Sequence, residues 1–126
     1  MAAPARGEPA ATALQEANRR ALLRALVSPE LVAEHAARPV GHHSPALAQL
    51  LAVFRQAPVA GKLALYAPEP GARWQIIRLS GSQGVPHDMS DSARFSSLED
   101  ALHEVFLRRL VDYGLATRAE LEAGNG

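Results

Sequence analysis

Proline and the residues around it set the first limits on what this chain can fold into. Ser28-Pro29-Glu30 and Ser44-Pro45 each put a hydroxyl N-cap in front of a proline at the first helical position, while Pro39 and Pro58 disfavour helical backbone at the residues preceding them. These signals confine the middle of the chain to two short helices. The first runs through Leu31, Val32, His35 and Ala36 and stops before Pro39, where Gly41 provides a turn. The second sets Leu47, Leu50, Leu51 and Phe54 at i, i+3, i+4 and i+7 on one face and ends near Gln56. Further on, Pro68-Glu69-Pro70-Gly71 has the composition of a turn and separates two runs of strand-like spacing, which predicts a β-hairpin at about 61–79. Two strands alone are marginal in water, so the hairpin must lie on helices or join a sheet contributed elsewhere.

The flanks are read the same way. Residues 1–9 are small and proline-containing without apolar period, and are expected to be a flexible N-terminal segment. From about Ala10 a helical stripe of Leu14, Ala21, Leu22, Ala25 and Leu26 emerges, with Gln15, Glu16, Arg19, Arg20 and Arg24 outside it. Ser80 to Arg94 shows no period and is long for a structureless connection; such loops are functional, ordered by a partner or disordered. After Phe95, Ser96 and Glu99 read as a capping box ahead of a strong stripe of Leu98, Ala101, Leu102, Val105, Phe106 and Leu110. Gly114 suits a C-cap, and Thr117 with Glu120 opens a last short helical turn. The expected fold is mainly α with a small β-hairpin (α+β), a single helix-rich domain over 10–126.

Composition narrows the function classes. Among 126 residues, 25 are alanine and six are aromatic, so the core is thin and burial against another chain would add stability. Lys+Arg and Asp+Glu both number 13, which leaves no net field to attract nucleic acid or an anionic membrane. Cysteine is absent, removing disulfides and thiol chemistry together and fitting a reducing compartment. Met1 to Ala13 has no apolar core resembling a signal peptide, and no apolar run reaches the roughly 18 residues of a membrane span. The expected location is cytoplasmic, with neither nucleic acid nor membrane as partner.

The reactive residues do not converge in the sequence. His35, His42, His43, His87 and His103 lack metal-ligand spacing and a matching carboxylate, and read as surface, capping or interface histidines. Ser44 beside His43 is already accounted for as an N-cap, and adjacency in sequence is not the geometry of a nucleophile and its base. Gly81-Ser82-Gln83-Gly84 lacks the Lys-Ser/Thr of a phosphate loop and reads as a turn; His87, Asp88 and Asp91 read as a solvated acidic loop. Lys62 is suited to a partner carboxylate or to water, and Trp74 to the hairpin core or a contact anchor. No catalytic, cofactor-binding or metal residue is assigned.

From Leu31 to Leu115 the chain resembles the small subunit of N,N-dimethylformamidase and related bacterial proteins. Three signatures in order carry the resemblance. The first is Glu34-His35-Ala36-Ala37-Arg38-Pro39-Val40-Gly41 with His43-Ser44-Pro45; the second is Phe54-Arg55 leading through Pro58 to Gly61-Lys62. The third is Phe95 with Glu99-Asp100-Ala101, His103, Val105-Phe106-Leu107 and Arg109. The resemblance implies a hetero-oligomer of the α2β2 type or higher, in which a large catalytic amidase subunit holds a mononuclear non-haem iron. That subunit would hydrolyse N,N-dimethylformamide or a similar small amide to formate and an amine. Its iron ligands are tyrosines and a glutamate of the large chain, and none is carried onto Tyr66 or Tyr113. This chain is then expected to be a non-catalytic accessory with His43, Arg55, Lys62, Trp74 and Arg109 as candidate interface positions. The rival reading is a stand-alone protein- or ligand-binding adaptor.

Overall fold

A computed structural model describes residues 3–124 and contains five helices and three strands. In chain order they are α1 (Ala3–Leu26), α2 (Pro29–Ala37), α3 (Pro45–Arg55), β1 (Leu63–Tyr66), β2 (Trp74–Arg78), β3 (Arg94–Phe95), α4 (Leu98–Asp112) and α5 (Arg118–Gly124). The expected flexible segment 1–9 takes in Met1 and Ala2, which lie outside the described residues, and about the first two turns of α1.

The proline starts work as the sequence predicts. Ser28 Oγ accepts from the Leu31 amide at 3.1 Å and Ser44 Oγ from the Leu47 amide at 3.4 Å, each satisfying an otherwise orphan donor of a helix start. The cap of α4 falls one residue later than Ser96: Ser97 Oγ accepts from the Asp100 amide at 3.2 Å. Ser97 has the extended backbone a cap requires, and its Oγ also donates to Glu99 Oε2 at 3.1 Å, so Glu99 does not reach back across a full box. The true reciprocal box closes α5, where Glu120 N donates to Thr117 Oγ1 at 3.1 Å and Thr117 N donates to Glu120 Oε1 at 2.9 Å. At the end of α4, Gly114 adopts φ +72°, its amide donates to Val111 O, and the Leu115 amide reaches back to Leu110 O at 2.8 Å. That pair of bonds is a Schellman motif, and the accompanying apolar contact is Leu110 with Leu115, both buried.

α4 is the spine. Phe106, Leu107 and Leu110 look into a helical core with Leu31, Leu47, Leu50 and Phe54, while Val105 looks into a smaller cluster with Leu63 and Ile76 of the sheet. The sheet has order β1-β2-β3, antiparallel throughout, with Leu65 opposite Ile76 and Trp74 opposite Phe95. The third strand comes from the long connection after β2, which is not structureless. Arg78 and Asp88 exchange backbone bonds of 3.0 and 2.9 Å, and buried Gln75 donates its amide to Met89 O at 2.8 Å and Asp91 O at 3.3 Å. The segment lacks apolar period because backbone and amide bonds, not side-chain burial, hold it down. Gly81 allows it to pass close by: with φ +73°, a Cβ there would sit 2.6 Å from the Ala60 backbone.

The α1 stripe is a correction. Leu14 and Leu22 are 63% and 73% exposed and Ala21 and Ala25 are exposed too; of the expected stripe Leu26 is half-buried against the core, and within residues 11–26 the fully buried side chain is Leu23. An alanine-rich helix has no apolar row strong enough to fix its own face, so the contact with α3 decides its rotation. Leu98, likewise, is exposed at the start of α4.

Phe106 is 2% exposed at the meeting of the helices, so Phe106→Ala is expected to lower the unfolding free energy by about 3–5 kcal/mol in urea titrations. Leu22→Ala, on the solvent side of α1, is expected to change it by less than about 0.5 kcal/mol.

Candidate functional site

The described residues bring chemistry together beside α4, where α2, the turn after it, α3 and the edge of the sheet converge. The floor is aromatic and imidazole. His35, 3% exposed on the buried face of α2, lies flat on Phe106 with ring centroids 4.1 Å apart and an interplanar angle of 12°. His103 approaches from α4, its centroid 5.2 Å from that of His35, and the two Nδ1 atoms are 3.0 Å apart. One of these nitrogens must carry the hydrogen and the other the lone pair, so at least one ring is neutral. Burial first, then the neighbouring His103, His43 and Arg109 charges, push the His35 pKa down to about 4 against a small opposing pull from Glu34. Burial also lowers that of His103, against the acids Glu104 and Asp100.

The wall beside His35 is the α2–α3 turn. His43, stacked 6.4 Å from His35, donates Nε2–H to Arg38 O at 2.8 Å. Glu34 locks the turn by accepting from the Ser44 amide and the Ser44 hydroxyl, both at 2.6 Å. Those two bonds hold its carboxyl below the usual carboxylate range. Ser44 thus gives its proton to a carboxylate and its lone pair to a helix start, and no histidine serves it as a base.

Above this floor lies an open groove of about 420 Å³, walled by Pro39, Val40, Gly41 and His43, by Leu51 and Arg55 of α3, by Leu63–Leu65 of β1, and by Leu102 and Arg109 of α4. No aspartate or glutamate lines it. Arg109 is half-buried, with burial pulling its pKa down, and its guanidinium donates to Leu63 O at 3.1 Å. Among the described residues neither Arg55 nor Arg109 has an acidic partner. The other face of α4 is the reverse case. There Asp91 pairs with Arg108, Glu104 Oε2 accepts from Arg108 at 2.9 Å, and Arg118 donates to both Glu104 oxygens at 3.0 Å.

Of the candidate interface residues, His43, Arg55 and Arg109 line the groove together. Lys62 is not among the lining residues; its Nζ donates to Arg55 O at 3.1 Å. Trp74 is elsewhere, half-buried at the start of β2 across from Phe95. In the acidic loop, Asp88 accepts from the Ser90 amide and hydroxyl, Asp91 is spent on Arg108, and His87 Nδ1 accepts from the Ser80 amide at 2.9 Å. Among the described residues no group of three or more His, Asp or Glu is placed to hold a metal ion. The sequence reading missed the His35–His103 contact and the Glu34–Ser44 clamp. His35 occupied an apolar position of its helix stripe, and that was the available signal for its burial; pairings across 68 and 10 residues had none.

Comparison with known proteins gives one result. The pattern of the family described as N,N-dimethylformamidase alpha subunit matches residues 10–120. An N,N-dimethylformamidase alpha subunit of Alcaligenes sp is 38% identical over 96 residues, covering 74% of this chain and 68% of its own length. Another, from Paracoccus aminophilus, is 33% identical over 87 residues, covering 67% of this chain and 60% of its own length.

Because His35 takes up its proton less readily folded than unfolded, it favours the folded state while neutral, fully above about pH 6.5, and this stabilisation is lost as pH falls toward 4. The expected loss is on the order of 3 kcal/mol between those limits, measured by urea unfolding at a series of pH values. His35→Leu should flatten the slope in that window; an unchanged slope would assign it to other groups.

Proposed function

The chain belongs to the N,N-dimethylformamidase alpha subunit family, and we propose that it is the non-catalytic small subunit of a heteromeric amidohydrolase. In this reading a large partner subunit carries the catalytic machinery, including a mononuclear non-haem iron, and hydrolyses N,N-dimethylformamide or a similar small amide to formate and an amine. The small chain stabilises the large one in a hetero-oligomer of the α2β2 type or higher, in the cytoplasm.

The observation that carries this reading is the contrast within the chain between engaged reactive groups and unengaged docking surface. Ser44, Glu34, His35, His103, Asp88 and Asp91 are tied to caps, stacks and ion pairs, so among these residues no nucleophile stands beside a free base. The cationic groove with Arg55 and Arg109 is open, and Val40 on its wall is 69% exposed. Among the described residues no helix is long and apolar enough to cross a membrane.

Purification through a tag on this chain, from cells that also express the large subunit, tests the reading. The expected outcome is a co-purifying large polypeptide with iron, amidase activity in the complex, and none in the small chain alone. Turnover of N,N-dimethylformamide by the isolated chain, or a chain that stays monomeric beside the large one, would contradict it.

A further inference from the structure

The groove beside α4 has a chemistry that specifies its occupant. Its walls are mostly apolar, formed by the Pro39–Gly41 turn, Leu51 and Leu102, and Val40 is 69% exposed at its rim. Two guanidiniums, Arg55 and Arg109, enter it with no carboxylate on any wall, although the chain as a whole is neutral and its other half-buried arginine, Arg108, is paired twice over. A half-buried cation is costly unless an anion meets it, and among the described residues Arg109 has only the Leu63 carbonyl. The unpaired edge of β1, at the end of the sheet order, forms one side of the same groove. An extended backbone lying there would find a strand edge, apolar pockets and two fork-shaped donors matched to carboxylate.

We propose that this groove seats an acidic-apolar segment of the large partner subunit, which places a carboxylate between Arg55 and Arg109 and apolar side chains against Val40, Leu51 and Leu102. The proposal rests on the accessory-subunit reading and adds the surface and the chemistry of the contact. Charge complementarity selects the occupant: an apolar segment alone would leave both guanidiniums unmatched, and a basic one would be repelled.

The test uses the full chain co-expressed with the large subunit, with complex formation measured by native mass spectrometry and affinity by titration of the separated subunits at two salt concentrations. Arg55→Glu and Val40→Asp change exposed side chains at the groove, and thermal unfolding of each isolated variant checks that the fold is kept. Leu22→Asp, on the solvent side of α1, is the comparison variant. The expected result is a complex with the wild-type chain, a loss of about tenfold or more in affinity for both groove variants, weaker binding at high salt, and little change for Leu22→Asp. If the wild-type complex forms and both groove variants bind equally well, the groove assignment is overturned while the subunit reading stands. A loss confined to Leu22→Asp would move the contact to α1. A dimer of the isolated chain that Arg55→Glu dissociates would make a second copy the occupant, against the proposal. Absence of any complex with the wild-type chain would remove both readings together.

Discussion

Phe106 is the contact on which the rest of the molecule closes. His35 of α2 covers its face at 4.1 Å between centroids, and Phe54 of α3 meets it edge-on at 6.1 Å. Phe54 in turn holds Tyr113 at the end of α4, at 4.8 Å. Aromatic pairs in these geometries add to the area they bury, and in a chain with six aromatics they connect three helices that alanine alone could not fasten. The same packing positions the groove: α2 rests on α4 through His35, the turn from Pro39 to His43 is fixed relative to Arg109, and the sheet sits on the next row of α4 through Val105.

What was legible in the sequence was whatever rests on local chemistry. The Ser-Pro starts, the Leu47 to Phe54 face, the hairpin and the Thr117–Glu120 box are decided within a few residues, and the structure has them where the sequence puts them. The α+β architecture followed from the same stretches, whereas the family came from the resemblance carried by Glu34–Gly41 with His43–Pro45, Phe54–Lys62 and Phe95–Arg109. What stayed hidden depends on partners distant in the chain. The face of α1 is set by α3, the strand at Arg94–Phe95 exists only because β2 offers it an edge, and the His35–His103 contact joins two helices with no shared spacing. The Ser96 cap differs by one position: Ser97 has the extended backbone of a cap and its Oγ takes the Asp100 amide.

For the site, the sequence identified residues without their relation. His43, Arg55 and Arg109 come from three different segments, and only the fold shows that they share one groove, while Trp74 belongs to the sheet. The opposite treatment of charges on the two sides of α4 also needs the fold. Arg108 and Arg109 are adjacent in sequence, yet a step of about 100° around the helix sends one into an acidic network and the other into a groove without an acid. Among the described residues the charges are thus complete on one side of α4 and incomplete on the other, the observation on which the proposed contact with a large subunit rests.

The most direct measurement of that incompleteness is backbone hydrogen exchange of this chain, alone and in its complex with the large subunit. The account predicts that complex formation slows exchange at Pro39–His43 and along β1, with α5 little changed. Exchange that stays the same in those two segments while the complex forms would contradict it.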